Sequence, residues 1–216
     1  PQAVANFIHN MGIHSYIDPV PALCLGTSES NVYEMVGAFA TFANEGVFTE
    51  PNFVTRIEDR QGNLIASFAP STQDAISEKT AYTMLTMLRD VIRSGTGGRL
   101  NWAYGMQNTE VGGKTGTSQK NRDAWFMCIL PKLVIGTWVG GEDQYIHLLS
   151  RGEGSTVALP IVGEMLNRIY ADPSVGISKQ DQFTRPAVIP VYDCDPIENE
   201  PTATEGNWYD EDEFFE

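Results

Sequence analysis

The sequence predicts an α+β fold in which an antiparallel sheet is flanked by helices. Two observations carry that reading. Long amphipathic helix patterns, two of them capped, lie on both sides of a run of β-prone segments. Within that run, between residues 111 and 139, the segments follow one another at hairpin spacing, whereas a doubly wound parallel sheet would alternate strand with helix.

The elements follow in order. Ala3, Val4, Phe7, Ile8 and Met11 recur at helical spacing, and Gly12 supplies a stop. Asn31-Val-Tyr-Glu34 has the form of a capping box, with Val32, Val36, Phe39 and Ala43 on one face behind it until Gly46. Phe53–Phe68 places two β-prone stretches around Asp59-Arg-Gln-Gly62, a hairpin pattern. Ser77 caps a long helix whose apolar stripe is Ala81, Met84, Leu85, Leu88, Val91 and Ile92, ending at Gly95. A flexible turn is expected over Ser94-Gly-Thr-Gly-Gly98 and a glycine-rich strand over Val111–Ser118. Strands over Ala124–Leu130 and Leu133–Val139 complete an antiparallel meander, and a last helix runs from Val157 to Tyr170 with Pro160 in its first turn.

The 216 residues carry 28 Asp and Glu against 14 Lys and Arg, a formal net charge of −14. Phosphate binding needs clustered Lys and Arg, so this balance argues against nucleic acid as a partner. The acid is uneven: ten carboxylates and no base lie between Asp193 and Glu216, leaving 18 acids against 14 bases in residues 1–192. Residues 177–216 therefore read as an acidic, disordered tail. Its Trp208, Tyr209, Phe214 and Phe215 keep open a second reading as a partner-binding segment.

Cys24, Cys128 and Cys194 lack Cys-x-x-Cys spacing, and His9, His14 and His147 lack metal-ligand spacing, so no metal or cofactor is implied. The apolar run Ala124–Gly141 imitates a membrane span. Pro131-Lys132 interrupts it, and β-branched and aromatic residues flank the interruption, so two buried strands fit better. Trp125, Phe126 and Trp138 read as core aromatics on those strands, and Arg122 and Asp123 as residues that close the turn between strands.

Gly113-Lys114-Thr115 invites a phosphate-loop reading, but that pattern needs glycine five residues earlier, where Asn108 stands, and a helix at the Lys-Thr. The alternative is Lys-Thr-Gly on a sheet edge, as in penicillin-interacting serine enzymes. Gly116 lets a substrate backbone approach and extend the sheet. Thr115 and Thr117 offer hydroxyls to a carboxylate, Lys114 offers positive potential, and a backbone N–H near Thr117 offers an oxyanion donor. A plain glycine-rich edge strand with a solvated Lys114 is the competing reading.

The surroundings decide the comparison. Gly112-Gly-Lys-Thr-Gly-Thr-Ser118, Asp123-Ala-Trp-Phe126, Ile135-Gly-Thr-Trp-Val-Gly140, Leu25-Gly-Thr-Ser28, Glu34-Met35, Ala40-Thr-Phe-Ala-Asn44, Ser94-Gly-Thr-Gly97 and Ala158-Leu-Pro160 stand in order along the chain. Taken together, the stretch from about Pro1 to Tyr170 closely resembles the transpeptidase domain of class A, bifunctional penicillin-binding proteins. The resemblance implies a penicillin-binding transpeptidase/β-lactamase-like fold and a serine acyl-transfer that cross-links the D-Ala-D-Ala stem peptides of peptidoglycan. It implies peptidoglycan stem peptides and β-lactams as partners, no cofactor, and an extracytoplasmic location in a parent anchored in the bacterial cytoplasmic membrane. By the same resemblance Lys114 and Thr117 are catalytic, and Thr115, Gly116, Thr117, Ser118, Thr96 and Gly97 bind substrate.

The sequence departs from the family in one respect. No serine is followed at the third place by lysine, the nearest being Ser77 and Ser118 with Lys79 and Lys120 at the second place, and no Ser-x-Asn occurs. With Pro1 at its head and no signal-like start, the chain reads as a processed or cut-out piece. Residues 1–176 are expected to form an incomplete transpeptidase domain with its N-terminal portion missing, exposing core surface where that portion packs. A serine β-lactamase or D,D-carboxypeptidase relative, and a noncatalytic peptide-binding module, are the alternatives.

Overall fold

The first helix, α1 (Gln2–Asn10), and α2 (Val32–Ala43) bracket a loop region that contains one short 3-10 turn, Pro21–Leu25. The computed structural model describes residues 1–143, 145–148 and 150–188. Ala5, Met11, Ile13, Ile17, Leu23 and Ala38 form the core between these elements. As the capping pattern requires, the Asn31 side chain accepts the Glu34 N–H at 2.9 Å. The Glu34 carboxylate does more than the pattern foretells. It accepts the N–H groups of His14 and Ser15, each at 3.0 Å, and the Ser15 hydroxyl at 2.5 Å, and so ties α2 to the loop after α1.

Burial works against the Glu34 charge, but the Ser15 hydroxyl and the amides of His14, Ser15 and Asn31 outweigh it and hold the carboxyl below its ordinary 4.5. As pH falls, the unfolded chain takes up this proton before the folded one. The stabilisation is therefore complete above pH 4.5 and is lost as the pH drops through the lower folded value. Glu34→Gln is expected to cost about 1–3 kcal/mol at pH 7 and to flatten the acid limb of a urea-midpoint profile. An unchanged midpoint at pH 7 would show that these bonds carry no net stability.

Beyond α2, β1 (Val47–Thr49) pairs with β4 (Thr72–Asp74), and between them β2 (Arg56–Glu58) and β3 (Leu64–Ser67) form the expected hairpin. Asp59 organises its turn, its carboxylate accepting the Gln61 and Asn63 N–H groups at 2.9 and 2.8 Å. Phe53, Val54, Ile57, Leu64, Ile65 and Phe68 on and beside this hairpin are exposed.

The central helix α3 (Glu78–Arg93) begins where Ser77 Oγ accepts the Thr80 N–H at 3.2 Å. It buries Ala81, Tyr82, Leu85, Leu88 and Ile92, so Tyr82 takes a core place where the sequence stripe has Met84 and Val91. The glycine-rich turn after it is not a loose connection. Gly95 and Gly97 both donate N–H groups back to Val91 O, at 3.1 and 3.0 Å, and the chain enters a further helix, α4 (Arg99–Tyr104).

The meander follows as expected: β5 (Gly112–Thr117), β6 (Asp123–Leu130) and β7 (Leu133–Gly140) form a three-stranded antiparallel sheet in that order. Its middle strand is apolar from Ala124 to Leu130 because both faces are covered there. Phe126, Cys128 and Leu130 pack with Leu100, Leu159, Val162 and Leu166, while Ile129 packs against Tyr82, Leu85 and Leu88. Desolvation pushes the Cys128 thiol up to about 12, as befits a small core residue. The last helix, α5 (Leu159–Ala171), is entered through a π-helical turn, Gly154–Ala158, with Pro160 in its first turn. No helix among the described residues is long and apolar enough to cross a membrane, and the Ala124–Gly141 run is the β6–β7 pair.

Residues 177–188, expected to belong to the disordered tail, lie against the body. Phe183 is buried between α3 and β6, its N–H donates to Glu110 at 2.7 Å, and Glu110 also meets Arg89 at 3.2 Å and Arg185 at 3.4 Å. Lys132 pairs with Asp181 at 2.8 Å. The acidic stretch from Asp193 onward, for which disorder is expected, lies outside the described residues.

Candidate active site

The strand β5 lies at the edge of its sheet, and its hydrogen-bond phase decides which groups face outward. Ser118 N–H bonds Asp123 O at 3.0 Å, which makes Ser118 and Asp123 a hydrogen-bonded pair. Counting back along the register by twos, Gly116–Trp125 and Lys114–Met127 are also bonded pairs. The main-chain groups of Thr115 and Thr117 therefore point away from β6, along the free edge. The Lys114 side chain agrees with this phase: it curls back so that its ammonium donates to Thr115 O at 2.8 Å.

The hydroxyls near this edge are individually placed. Thr115 and Thr96 meet oxygen to oxygen at 2.7 Å, so the turn after α3 is docked onto the strand by that pair. Thr117 Oγ1 accepts the Gly154 N–H at 3.1 Å. Ser118 Oγ accepts the Asp123 N–H at 2.8 Å and so closes the β5–β6 turn. Gly97 is buried against α3, where an added Cβ would lie 2.5 Å from Ile92 Cδ1; it shapes the turn from behind and does not line the open face. At Gly116 an added Cβ would sit 3.0 Å from Trp125 Cβ. Glycine there lets the strand lie close over Trp125 and leaves the edge unobstructed.

The structure thus brings together Lys114, Thr115, Gly116, Thr117 and Thr96, and sets Ser118 and Gly97 in supporting positions. Chemically the side chains of this face are a set of donors. Two hydroxyls that share one bond have one proton left over, Thr117 Oγ1 already accepts and so has its proton to give, and Lys114 carries an ammonium. Such a set suits a carboxylate, which only accepts. The local charge has the same sign, since residues 93–123 hold Arg93, Arg99, Lys114, Lys120 and Arg122 against Glu110 and Asp123. Glu110 is taken by Arg89 and Arg185, and Asp123 by the Trp138 indole N–H at 3.0 Å.

Trp138 corrects one expectation: it is 40% exposed and serves as a donor to Asp123, while Phe126 alone of the three aromatics is fully buried. The meander register puts Trp138 beside the β5–β6 turn because it lies directly across from Trp125 on β7. Sequence reasoning also passed over Gly154, whose signal was faint: two glycines, Gly152 and Gly154, shortly before Ala158-Leu-Pro160. Two concavities lie elsewhere, one lined by Lys132, Tyr170, Lys179 and Asp181, the other by Tyr16, Thr27, Ser28 and Asn31; β5 borders neither and forms an open wall. Among the described residues no cluster of three or more His, Cys, Asp or Glu is positioned to hold a metal.

Comparison with known proteins bears directly on this geometry. Residues 24–162 match the family described as the penicillin binding protein transpeptidase domain. The chain is 31% identical over 209 residues to penicillin-binding protein 1A of Rickettsia prowazekii, covering 86% of this chain and 26% of that protein. It is 32% identical over 161 residues to penicillin-binding protein 1A of Neisseria meningitidis, covering 72% of this chain and 20% of that protein. The chain therefore spans about a quarter or less of the length of these curated relatives. Among solved structures, penicillin-binding protein 1A of Haemophilus influenzae superposes with a TM-score of 0.72 at 22% identity, over 86% of this chain and 32% of that one. The PonA1 protein of Mycobacterium tuberculosis, solved in complex with penicillin V, superposes with a TM-score of 0.71 at 23% identity, over 88% of this chain and 54% of that one.

Proposed function

Because this chain belongs to the penicillin-binding protein transpeptidase domain family, we propose that it forms the Lys-Thr-Gly wall of a serine D,D-transpeptidase site in peptidoglycan synthesis. The observation that carries this reading is the free edge of β5, with outward main-chain groups and side-chain donors beside them, where an extended peptide ending in a carboxylate can add as a further strand. In this reading the main-chain groups of Thr115 and Thr117 hold the peptide backbone. Lys114 and the protons left over on Thr115/Thr96 and Thr117 hold the terminal carboxylate.

The chemistry balances with one group from outside these residues. A serine oxygen attacks the carbonyl of the penultimate D-Ala, its proton passes to the departing amine of the last D-Ala, and an ester remains. An acceptor amine then attacks that ester, forming the new amide and returning the serine hydroxyl. The Thr117 N–H faces the free edge, where it can donate to the oxyanion of both steps. The serine belongs to a Ser-x-x-Lys motif, which these 216 residues lack. It is therefore supplied by the part of the polypeptide that this chain packs against, in a parent protein anchored in the cytoplasmic membrane and facing outward. β-Lactams enter as mimics of the peptide donor.

A fluorescent penicillin tests the assignment. The 216-residue chain is expected to remain unlabelled, and a chain lengthened at its N-terminus to include Ser-x-x-Lys and Ser-x-Asn is expected to label stoichiometrically. Serine-linked labelling of the short chain, or none of the long one, would falsify this division of the site.

A further inference from the structure

We propose that Gly154 is a positioning residue for the substrate carboxylate, acting through Thr117. The proposal rests on the Lys-Thr-Gly reading of β5 and adds a residue to it. A threonine hydroxyl has one proton to donate and two lone pairs to accept with. The Gly154 N–H, 3.1 Å from Thr117 Oγ1, occupies a lone pair. Among the described residues no acceptor takes the Thr117 proton, so the exposed hydroxyl keeps it for an incoming acceptor. The neighbouring pair contrasts with it, since either Thr96 or Thr115 can be the donor to the other. The Thr117 oxygen is held in place by a backbone N–H from another segment, and its own proton stays unpaired.

Only glycine can make this contact. An added Cβ at residue 154 would lie 2.2 Å from Trp125 O and 2.6 Å from Gly116 O, so the Gly154 backbone rests directly on the β5–β6 pair. The contact is braced on both sides. The Leu148 N–H bonds Asn121 O at 2.8 Å before it, and after it Glu153 O accepts the N–H groups of Thr156 and Val157 at 2.8 and 3.0 Å. Arg99 reaches Thr156 O at 3.4 Å from α4. Gly154 also opens the π-helical turn, a departure from α-helical geometry of the kind that collects at functional sites. A donor whose oxygen is already held loses less freedom when a carboxylate arrives, and an N–H bonded behind it strengthens the bond it gives.

Two measurements test the inference. In the 216-residue chain, the Gly154 amide is expected to exchange slowly with solvent deuterium in wild type and in Thr117→Ser, and at least about tenfold faster in Thr117→Val. Equal exchange in Thr117→Val would overturn the bond itself. In the lengthened chain, Gly154→Ala is expected to slow acylation by a penicillin about tenfold, and acylation by its carboxylate methyl ester by less than about twofold. Equal loss with both reagents would mark Gly154 as merely structural and overturn the proposal. Absence of acylation in the unmodified lengthened chain would instead overturn the serine-enzyme reading, while the amide exchange still decides the Gly154–Thr117 bond.

Discussion

Replacing Lys114 by alanine in a chain that includes the serine motif is expected to slow labelling by a fluorescent penicillin roughly a hundredfold, the scale of one charge-assisted hydrogen bond lost from a site. The effect should fall on reactivity and leave stability alone. Lys114 is exposed, and its ammonium binds only a carbonyl on its own strand, so its removal strands no buried partner. Thermal midpoints of the two proteins are expected to agree within about 2 °C. Lys114→Arg, which keeps the charge but spreads it over a planar fork, is expected to recover part of the rate. A rate within threefold of the parent would remove Lys114 from the site, and β5 would then revert to an ordinary glycine-rich edge strand.

Phe183→Ala is expected to cost about 3–5 kcal/mol of stability, read as a shift of the urea midpoint. The ring sits 4% exposed among Tyr82, Leu85, Leu88 and Ile129, where deletion leaves a cavity under α3. Its N–H also bonds Glu110, which stands between Arg89 and Arg185. Losing the ring therefore loosens the strap that carries this bond as well as the apolar contact. A change below about 1 kcal/mol would show that residues 177–188 rest on the body without contributing to it.

The strap also marks where composition and structure part. The expected tail begins at residue 177, although residues 177–188 hold Lys179 and Arg185 against Asp181, and nothing in the local pattern singles out Phe183. Its burial depends on a groove made by α3 and β6, more than 50 residues earlier in the chain. The same holds for α4, which has only six residues and whose start at Arg99 is set by a turn folded back onto Val91. It holds too for Trp138, which strand alternation assigns to a core until its indole is seen to reach Asp123.

What the sequence determined by itself was local and periodic. The Asn31 and Ser77 caps, the apolar stripes of α2 and α3, the hairpin turn at Asp59, and the meander broken at Pro131-Lys132 each follow from interactions among residues a few positions apart. The Lys-Thr-Gly strand was legible for the same reason, because glycine and hydroxyl residues in alternation describe an edge. Only the tertiary structure decided how that edge is equipped. The Thr96–Thr115 pair joins residues 19 apart, and the Gly154–Thr117 bond joins residues 37 apart. Each of these contacts depends on a group from a distant segment arriving within hydrogen-bond reach, which no local pattern records.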